Sequence, residues 1–424
     1  MSEDTPGRAL RAVLDAAEDA APVDAVEAVT ERLGAVLGAT DVSFLMSDLT
    51  GRALVRLGDP SRAGSSPLPL QAHAPASEAI RTQTVRVLPL EGDRDRWQVH
   101  APVTERGEVV GLLQLTLPGE PDAATVAEVR ATAHALAFVV IANRRHTDLF
   151  EWSQRSTPFT LSAEIQRRLL PAASTCEASS FSLAGWLEPA ASVGGDTFDY
   201  SVARDVLHLS LTDAMGHGVG AALTATLCVN ALRLARRGGA GLVEMAQAAD
   251  AALLEHDGPG PQPSEGFVTG ILGRLDLRTG VLSLVNAGHV QPLLVRAGKV
   301  VELGLAADLP FGLLPGSGYR ASEVTLRPGD RIVLLTDGML ERNAEHLDLD
   351  AQVAAAAPLH VREAVRALAD AVLRQTGGTL EDDATILVVD WFGDHASPRS
   401  TSAGADTARA SHTLEGGPQG RAPR

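Results

Sequence analysis

An alternating apolar run that closes on an aspartate is the feature that most restricts this fold. Leu207, Leu209 and Leu211 alternate with His208, Ser210 and Thr212, and the run ends on Asp213. Period two with one apolar side predicts a strand with one buried face. Gly216-His217-Gly218 and a long Ala/Leu-rich stretch of helical character follow. A carboxylate at a strand end, beside glycines that let backbone carbonyls come close, suits a hard divalent cation. Alone, the pattern is also ordinary turn chemistry. Its weight comes from recurrence. Val193-Gly-Gly-Asp196-Thr-Phe lies upstream, an apolar strand from Ile332 to Leu335 runs into Asp337-Gly338, and Glu381-Asp382-Asp383 precedes another apolar run.

Aspartates at the ends of several strands of one sandwich would crowd negative charge into a small volume. Like charges a few ångströms apart cost kcal/mol each and force protonation unless cations intervene. Oxygen donors with no His or Cys cluster favour Mg²⁺ or Mn²⁺ over Zn²⁺. Two such ions close together form an arrangement that hydrolyses phosphate esters.

The chain has 424 residues, which predicts two or three domains. A formal charge of −17 argues against nucleic acid as a partner, but not against a phosphate site where metal ions supply positive charge. Cys176 and Cys228 are the only cysteines, which fits a reducing compartment. The start, Met-Ser-Glu-Asp, has no apolar core, so no signal peptide is expected. The longest apolar span, Ala135 to Ala142, is far short of the ~20 residues a membrane helix needs. The expectation is a soluble, cytoplasmic protein with no membrane partner.

Residues 8–57 predict a helix, a turn and a strand, with Val26, Val29, Leu33 and Val36 at helical spacing. Residues 58–79, rich in Pro, Ser and Ala, predict a loop. Strands follow at Thr84–Leu88, Trp97–Val103 and Val109–Leu117, the last two around a hairpin turn at Glu105-Arg-Gly-Glu108. From Asp122 to Thr157 there is neither Gly nor Pro, which predicts one long helix or two nearly continuous ones. Val126, Val129, Ala133, Leu136 and Val140 form a heptad-like seam that weakens at Asn143 and Thr147. That seam either closes on its own sheet or pairs with a second subunit as a homodimer. A short amphipathic segment with Leu161, Ile165 and Leu169 ends at Pro171. The resulting division is a sensor module over 8–145, a helical linker over 146–171, a second domain over 172–392 and a disordered tail over 394–424.

The first module resembles the GAF family of sensory domains, on Ala101-Pro-Val-Thr-Glu-Arg-Gly-Glu-Val-Val-Gly-Leu-Leu-Gln-Leu. No ligand set is visible in it: His73, His100, His134 and His146 are scattered and read as surface or satisfied core histidines. The second module resembles the PPM family of metal-dependent serine/threonine phosphatases, in its bacterial SpoIIE/RsbU branch. An ordered set carries the resemblance: Val193-Gly-Gly-Asp, Asp213-x-x-Gly-His-Gly, Phe267-Val-Thr, Asn286-Ala-Gly-His289, Pro310-Phe-Gly-Leu, Leu335-Thr-Asp-Gly and Asp382-Asp-Ala-Thr. Gln166 to Pro171 is similar to the helix that precedes the catalytic core in that branch.

The resemblance implies an α+β chain whose catalytic part is a β-sandwich flanked by helices (αββα). It implies that Asp213 bridges two Mn²⁺ or Mg²⁺ ions, that Ala214 offers its carbonyl, that Asp196 serves one ion and that Asp337 and Asp382 hold the other. Asp383 then stands behind Asp382 or replaces it. A hydroxide between the ions would attack phosphorus in line, with no phosphoenzyme. His217 is the candidate general acid; the alternative is a helix-start turn. His289 reads as a turn cap, and Thr385 and Asn286–Gly288 as loop-shaping residues. The substrate implied is a phosphoserine or phosphothreonine on an anti-sigma-factor antagonist. No substrate-binding residue is assigned.

Two departures stand out: Thr197 where an aromatic residue is common, and Glu188 where a basic one is frequent. Two rival readings remain. Gly194-Gly-Asp-Thr-Phe198 resembles the diguanylate-cyclase loop, but Thr197 removes that loop's second carboxylate. A sensor-linked pseudophosphatase acting as a scaffold predicts a missing ligand, and none of the aspartates is missing.

Overall fold

The computed structural model describes residues 8–57, 67–70, 74–154, 160–189, 194–257, 266–340, 348–377, 380, 382–394, 398–401 and 404–411. The chain divides into two units, Met1–Pro158 with Arg399–Arg424, and Phe159–Pro398.

The first unit runs α1 (Arg8–Asp19), α2 (Ala25–Leu37), β1 (Asp41–Ser47), β2 (Ala53–Arg56), β3 (Leu68–Pro69), α3 (Pro75–Thr82), β4 (Arg86–Leu90), β5 (Asp93–Glu105), β6 (Glu108–Leu117), α4 (Ala123–Asn143) and α5 (Leu149–Ser153). Its sheet has the order β3-β2-β1-β6-β5-β4. Alternation decides the faces. Val99, Ala101 and Val103 of β5 and Leu113, Leu115 and Leu117 of β6 meet α2 and α4 in one core. Residues of the opposite parity, Leu45 and Leu112, meet α3. The expected loop over 58–79 is corrected at its end. Residues 75–79 are helical because Pro75 sits at the first helical positions, where its fixed φ and missing N–H cost nothing. Residues 58–66 and 71–73, including His73, lie outside the described residues.

The Gly- and Pro-free stretch forms two helices. Asp122 caps α4 by accepting from the Thr125 N–H at 2.8 Å. The seam residues Val129, Ala133, Leu136 and Val140 are buried in the unit's own core. By length and composition alone, α4 is apolar enough to cross a membrane, as is Gly218–Arg237 in the second unit. The expected linker 146–171 is divided: α5 belongs to the first unit and α6 (Leu161–Leu169) to the second.

The second unit continues with β7 (Thr175–Glu177), β8 (Phe181–Glu188), β9 (Thr197–Val202), β10 (Val206–Ala214), α7 (Gly218–Arg237), α8 (Leu242–Asp257), β11 (Val268–Asp276), β12 (Val281–Ala287), β13 (Leu293–Arg296), β14 (Lys299–Glu302), β15 (Ala307–Asp308), β16 (Ser322–Thr325), β17 (Arg331–Leu335), α9 (Leu349–Ala356), α10 (Val361–Gln375) and β18 (Ala384–Trp391). One sheet runs β15-β12-β11-β10-β9, with β16 also on β12; the other runs β14-β13-β17-β18-β8-β7. Leu207, Leu209 and Leu211 of β10 face Ile332 and Leu334 of β17 and Leu387 and Val389 of β18 across the sandwich. Outside, α7 and α8 cover the first of these sheets and α9 and α10 the second. This is the expected αββα architecture.

The tail expected to be disordered from residue 394 is corrected in part. Residues 399–401 and 404–411 belong to the first unit, and Ala405 and Ala410 are buried. The segment docks through backbone and small side chains, which a hydropathy reading does not register. Residues 412–424 lie outside the described residues.

Candidate functional site

Strand parity assembles the site. On β10, Leu207, Leu209 and Leu211 point into the sandwich, so Asp213 two residues on points the same way. Phe198 of β9 points inward, and Asp196 shares its parity. On β18 the inward Leu387 and Val389 put Thr385 and Asp383 in phase; on β17 Ile332 and Leu334 do so for Thr336. All of these positions lie at one end of the two sheets. Asp337 follows in a single 3₁₀ turn, Asp337–Met339.

Asp196 and Asp383 are almost fully buried, 2% and 1% exposed. The hydroxyls of Thr336 and Thr385 donate to Oδ2 of Asp196 at 2.7 and 2.6 Å. Thr385 thus binds a site carboxylate, whereas the sequence reading gave it only a loop-shaping role. Gln166 of α6 reaches the same place: its Nε2 donates to the Asp196 carbonyl at 2.9 Å and to Oδ2 of Asp383 at 2.5 Å. The Gly194 N–H also donates to that oxygen, at 3.0 Å. A side chain on Gly195 would lie 2.5 Å from the Ala214 Cβ and 2.6 Å from its carbonyl oxygen, so only glycine lets these backbones approach. Val193 lies outside the described residues. Asp382 and Asp337 are exposed, and Oδ1 of Asp382 accepts the Asp383 N–H at 2.8 Å.

The charges interact strongly. Burial, then Asp213 and Asp383, push the Asp196 carboxyl well above the usual aspartate range despite its two threonine donors. Burial, then Asp337, Asp382 and Asp383, push Asp213 up to about 7. Asp382 is raised chiefly by burial, with Asp337 and Asp383 adding to it. All five expected aspartates therefore belong to one electrostatic cluster. Among the described residues, no three acidic, His or Cys side chains already close into a ready-made cage. The donor chemistry nonetheless fits divalent cations. Oxygen donors alone surround the centre, and their mutual repulsion is the penalty that a bound cation would relieve.

His217 precedes α7 with extended backbone and makes no side-chain cap. It is exposed and near enough to Asp382 to lower that carboxyl's pKa. His289 is different. Its Nδ1 lies 2.7 Å from the Thr269 hydroxyl. Its N–H and carbonyl make reciprocal bonds with the Asn286 side chain at 2.7 and 3.0 Å. Burial pushes its pKa down to about 4. His289 is therefore a neutral turn residue. Of the two departures, Thr197 is buried and shares a 2.6 Å hydroxyl contact with Thr212, while Glu188 ends β8 opposite Ala384.

Residues 203–392 match the family described as Stage II sporulation protein E (SpoIIE). The match lies within the second unit and covers less than half of the chain, and it makes this unit similar to the SpoIIE type of PPM serine/threonine phosphatases. The chain is 26% identical over 202 residues to Protein IcfG of Synechocystis, covering 42% of this chain and 32% of that protein. It is 28% identical to a structure of RsbU and RsbW domains from Mycobacterium tuberculosis, covering 51% of this chain and 63% of that one, with a TM-score of 0.44. The SiaA-PP2C domain of Pseudomonas aeruginosa is 24% identical, over 49% of this chain and 84% of that one, with a TM-score of 0.43. The chain thus spans about a third of IcfG and under two thirds of the mycobacterial chain.

Proposed function

We propose that the chain is a divalent-metal-dependent protein serine/threonine phosphatase whose substrate is a small regulatory phosphoprotein, an anti-sigma-factor antagonist. The observation that carries this is the single electrostatic cluster of Asp196, Asp213, Asp337, Asp382 and Asp383 at one end of the sandwich. In this reading Asp213, Asp196, Asp337 and Asp382, with the Ala214 carbonyl, hold two Mn²⁺ or Mg²⁺ ions. Bound there, the ions supply Lewis acidity and a water of lowered pKa.

The chain's own residues do the rest. Thr336 and Thr385 fix the rotamer of Asp196 and favour its ionised form. Gln166 and the Gly194 N–H hold Asp383 behind Asp382, leaving the exposed Asp382 to face the ion. His217, exposed beside Asp382, is placed to give a proton to the serine leaving oxygen. The N-terminal unit, read as a GAF-like sensor, regulates the site through Gln166, because α6 is the first element of the second unit. A homodimer through the N-terminal unit and the linker helix and a cytoplasmic setting complete the reading; a chain with only two cysteines, Cys176 and Cys228, fits the latter.

The test is hydrolysis of a chromogenic phosphate ester with Mn²⁺, then of phosphorylated antagonist proteins, on wild type, Asp213→Ala and His217→Ala. Loss of at least 100-fold in Asp213→Ala is expected, by analogy with the loss of a central electrostatic group. Hydrolysis unchanged in Asp213→Ala would sink the metal assignment. Equal rates on unrelated phosphoproteins would sink the substrate assignment.

A further inference from the structure

The C-terminal segment returns to the first unit and is seated on one defined place, the turn of the β5–β6 hairpin. Arg106 and Gly107 at that turn have φ of 44° and 80°. The Gly107 carbonyl accepts from the buried Gln83 side chain at 3.0 Å. The Gly107 N–H donates to the Gly404 carbonyl at 2.9 Å, and the Arg399 guanidinium donates to the same oxygen at 2.9 Å. Gly404 has φ +80°, and a Cβ there would penetrate the Thr104 carbonyl and lie 3.0 Å from Nδ1 of His134 on α4. Only glycine fits, on both counts. Beyond it, Ala405, Asp406, Ala410 and Ser411 are all buried, at 0%, 4%, 6% and 7% exposure. Asp406 organises the turn: its carboxylate accepts from the Ala408 N–H at 3.2 Å, and its carbonyl accepts from the Arg409 N–H at 3.0 Å.

Such a segment is not a free tail. The hairpin turn offers a backbone donor and a steric slot that admits only glycine. Its occupant is residues 404–411 of the same chain. Because β18 of the second unit ends at Trp391, the chain leaves the phosphatase domain and binds back to the first unit.

We propose that residues 399–401 and 404–411 act as a docking segment and that the β5–β6 turn is its receptor. The phosphatase domain is thereby tied to the first unit at both of its ends, covalently through 158–159 and noncovalently through the segment. Being intramolecular, the contact holds with few interactions, and it can open without unfolding either unit.

Hydrogen exchange of the full-length chain tests this at the Gly107 amide, against Gly404→Val. The variant is expected to exchange at Gly107 and on the adjoining Thr104–Val109 amides at least roughly tenfold faster, the equivalent of one lost hydrogen bond. Arg399→Ala, which removes the second donor to the Gly404 carbonyl, should give a smaller effect in the same direction. Protection in the wild type should not depend on protein concentration. Unchanged exchange at Gly107 in Gly404→Val overturns the proposal. Protection that rises with concentration also overturns it, because the segment would then be seated on a second copy.

Discussion

Removing divalent cations should make the second unit's stability fall as pH rises, with Asp213 supplying the best-defined part of the effect. Its carboxyl is pushed from the ordinary 3.8 to about 7 by burial and by three neighbouring carboxylates. The native state therefore holds a proton that the unfolded chain has released. Stability then has a negative slope with pH, since the native state binds more protons than the unfolded one. The loss begins near pH 4, where an unfolded aspartate ionises, and is complete once pH passes about 7. A rise from 3.8 to about 7 corresponds to about 4 kcal/mol, and Asp196 is raised in the same sense. The assay is urea unfolding in chelator at pH 5, 6, 7 and 8, read by exchange of core amides in β10 and β18. Wild type should lose several kcal/mol across this range, and saturating Mn²⁺ or Mg²⁺ should recover it. Asp213→Asn carries no charge and should lose correspondingly less, overtaking wild type at pH 8 in chelator. A flat wild-type profile, or the same slope in Asp213→Asn, would refute the reasoning.

Other perturbations act through single contacts. Gln166→Ala leaves buried Asp383 with one fewer donor and should cost about 1–3 kcal/mol; Gln166→Glu should cost more, because it sets a second carboxylate against the first, and thermal unfolding in chelator checks both. Arg331 binds Asp390 at 2.6 and 2.9 Å and also reaches the Ala356 and Leu359 carbonyls. Arg331→Met leaves Asp390 short of its cation and should cost about 3–5 kcal/mol in chemical denaturation. Thr385→Val removes one of two hydroxyl donors to Asp196, so the acid limb of any metal-dependent activity should move to higher pH, measured as a pH–rate profile. Thr197→Val breaks the buried pair with Thr212 and should cost about 1 kcal/mol with little change in rate.

What could be read from the sequence was what repeats locally. The alternation of Leu207, Leu209 and Leu211 fixes which way Asp213 points, whereas the parity that aligns Thr336 and Thr385 with it became visible only with the packed sandwich. The β5–β6 hairpin was legible because its turn chemistry is local, and α4 because 36 residues pass without Gly or Pro. Contacts made across long separations were not. Gln166 meets Asp383 across 217 positions, and nothing within α6 marks it as anything but a polar residue on an amphipathic helix. The helix starting at Pro75 was hidden by its composition, since Pro, Ala and Ser serve loops and helix starts alike.

The docked tail shows the same limit from the opposite side. Disorder was expected from a composition of Ala, Ser, Thr, Gly, Pro and Arg with no aromatic residue, which is sound when burial must offset chain entropy residue by residue. Here the receptor is already folded, and the segment brings a carbonyl and a left-handed glycine that fit it. Small residues allow the backbone itself to become the interface, so complementarity replaces hydrophobic area. Aspartates at strand ends and a glycine in the tail thus raise one question: whether a short-range pattern finds its partner elsewhere in the fold. For the aspartates the strand period answers it in advance. For Gly404 only the shape of the β5–β6 turn does.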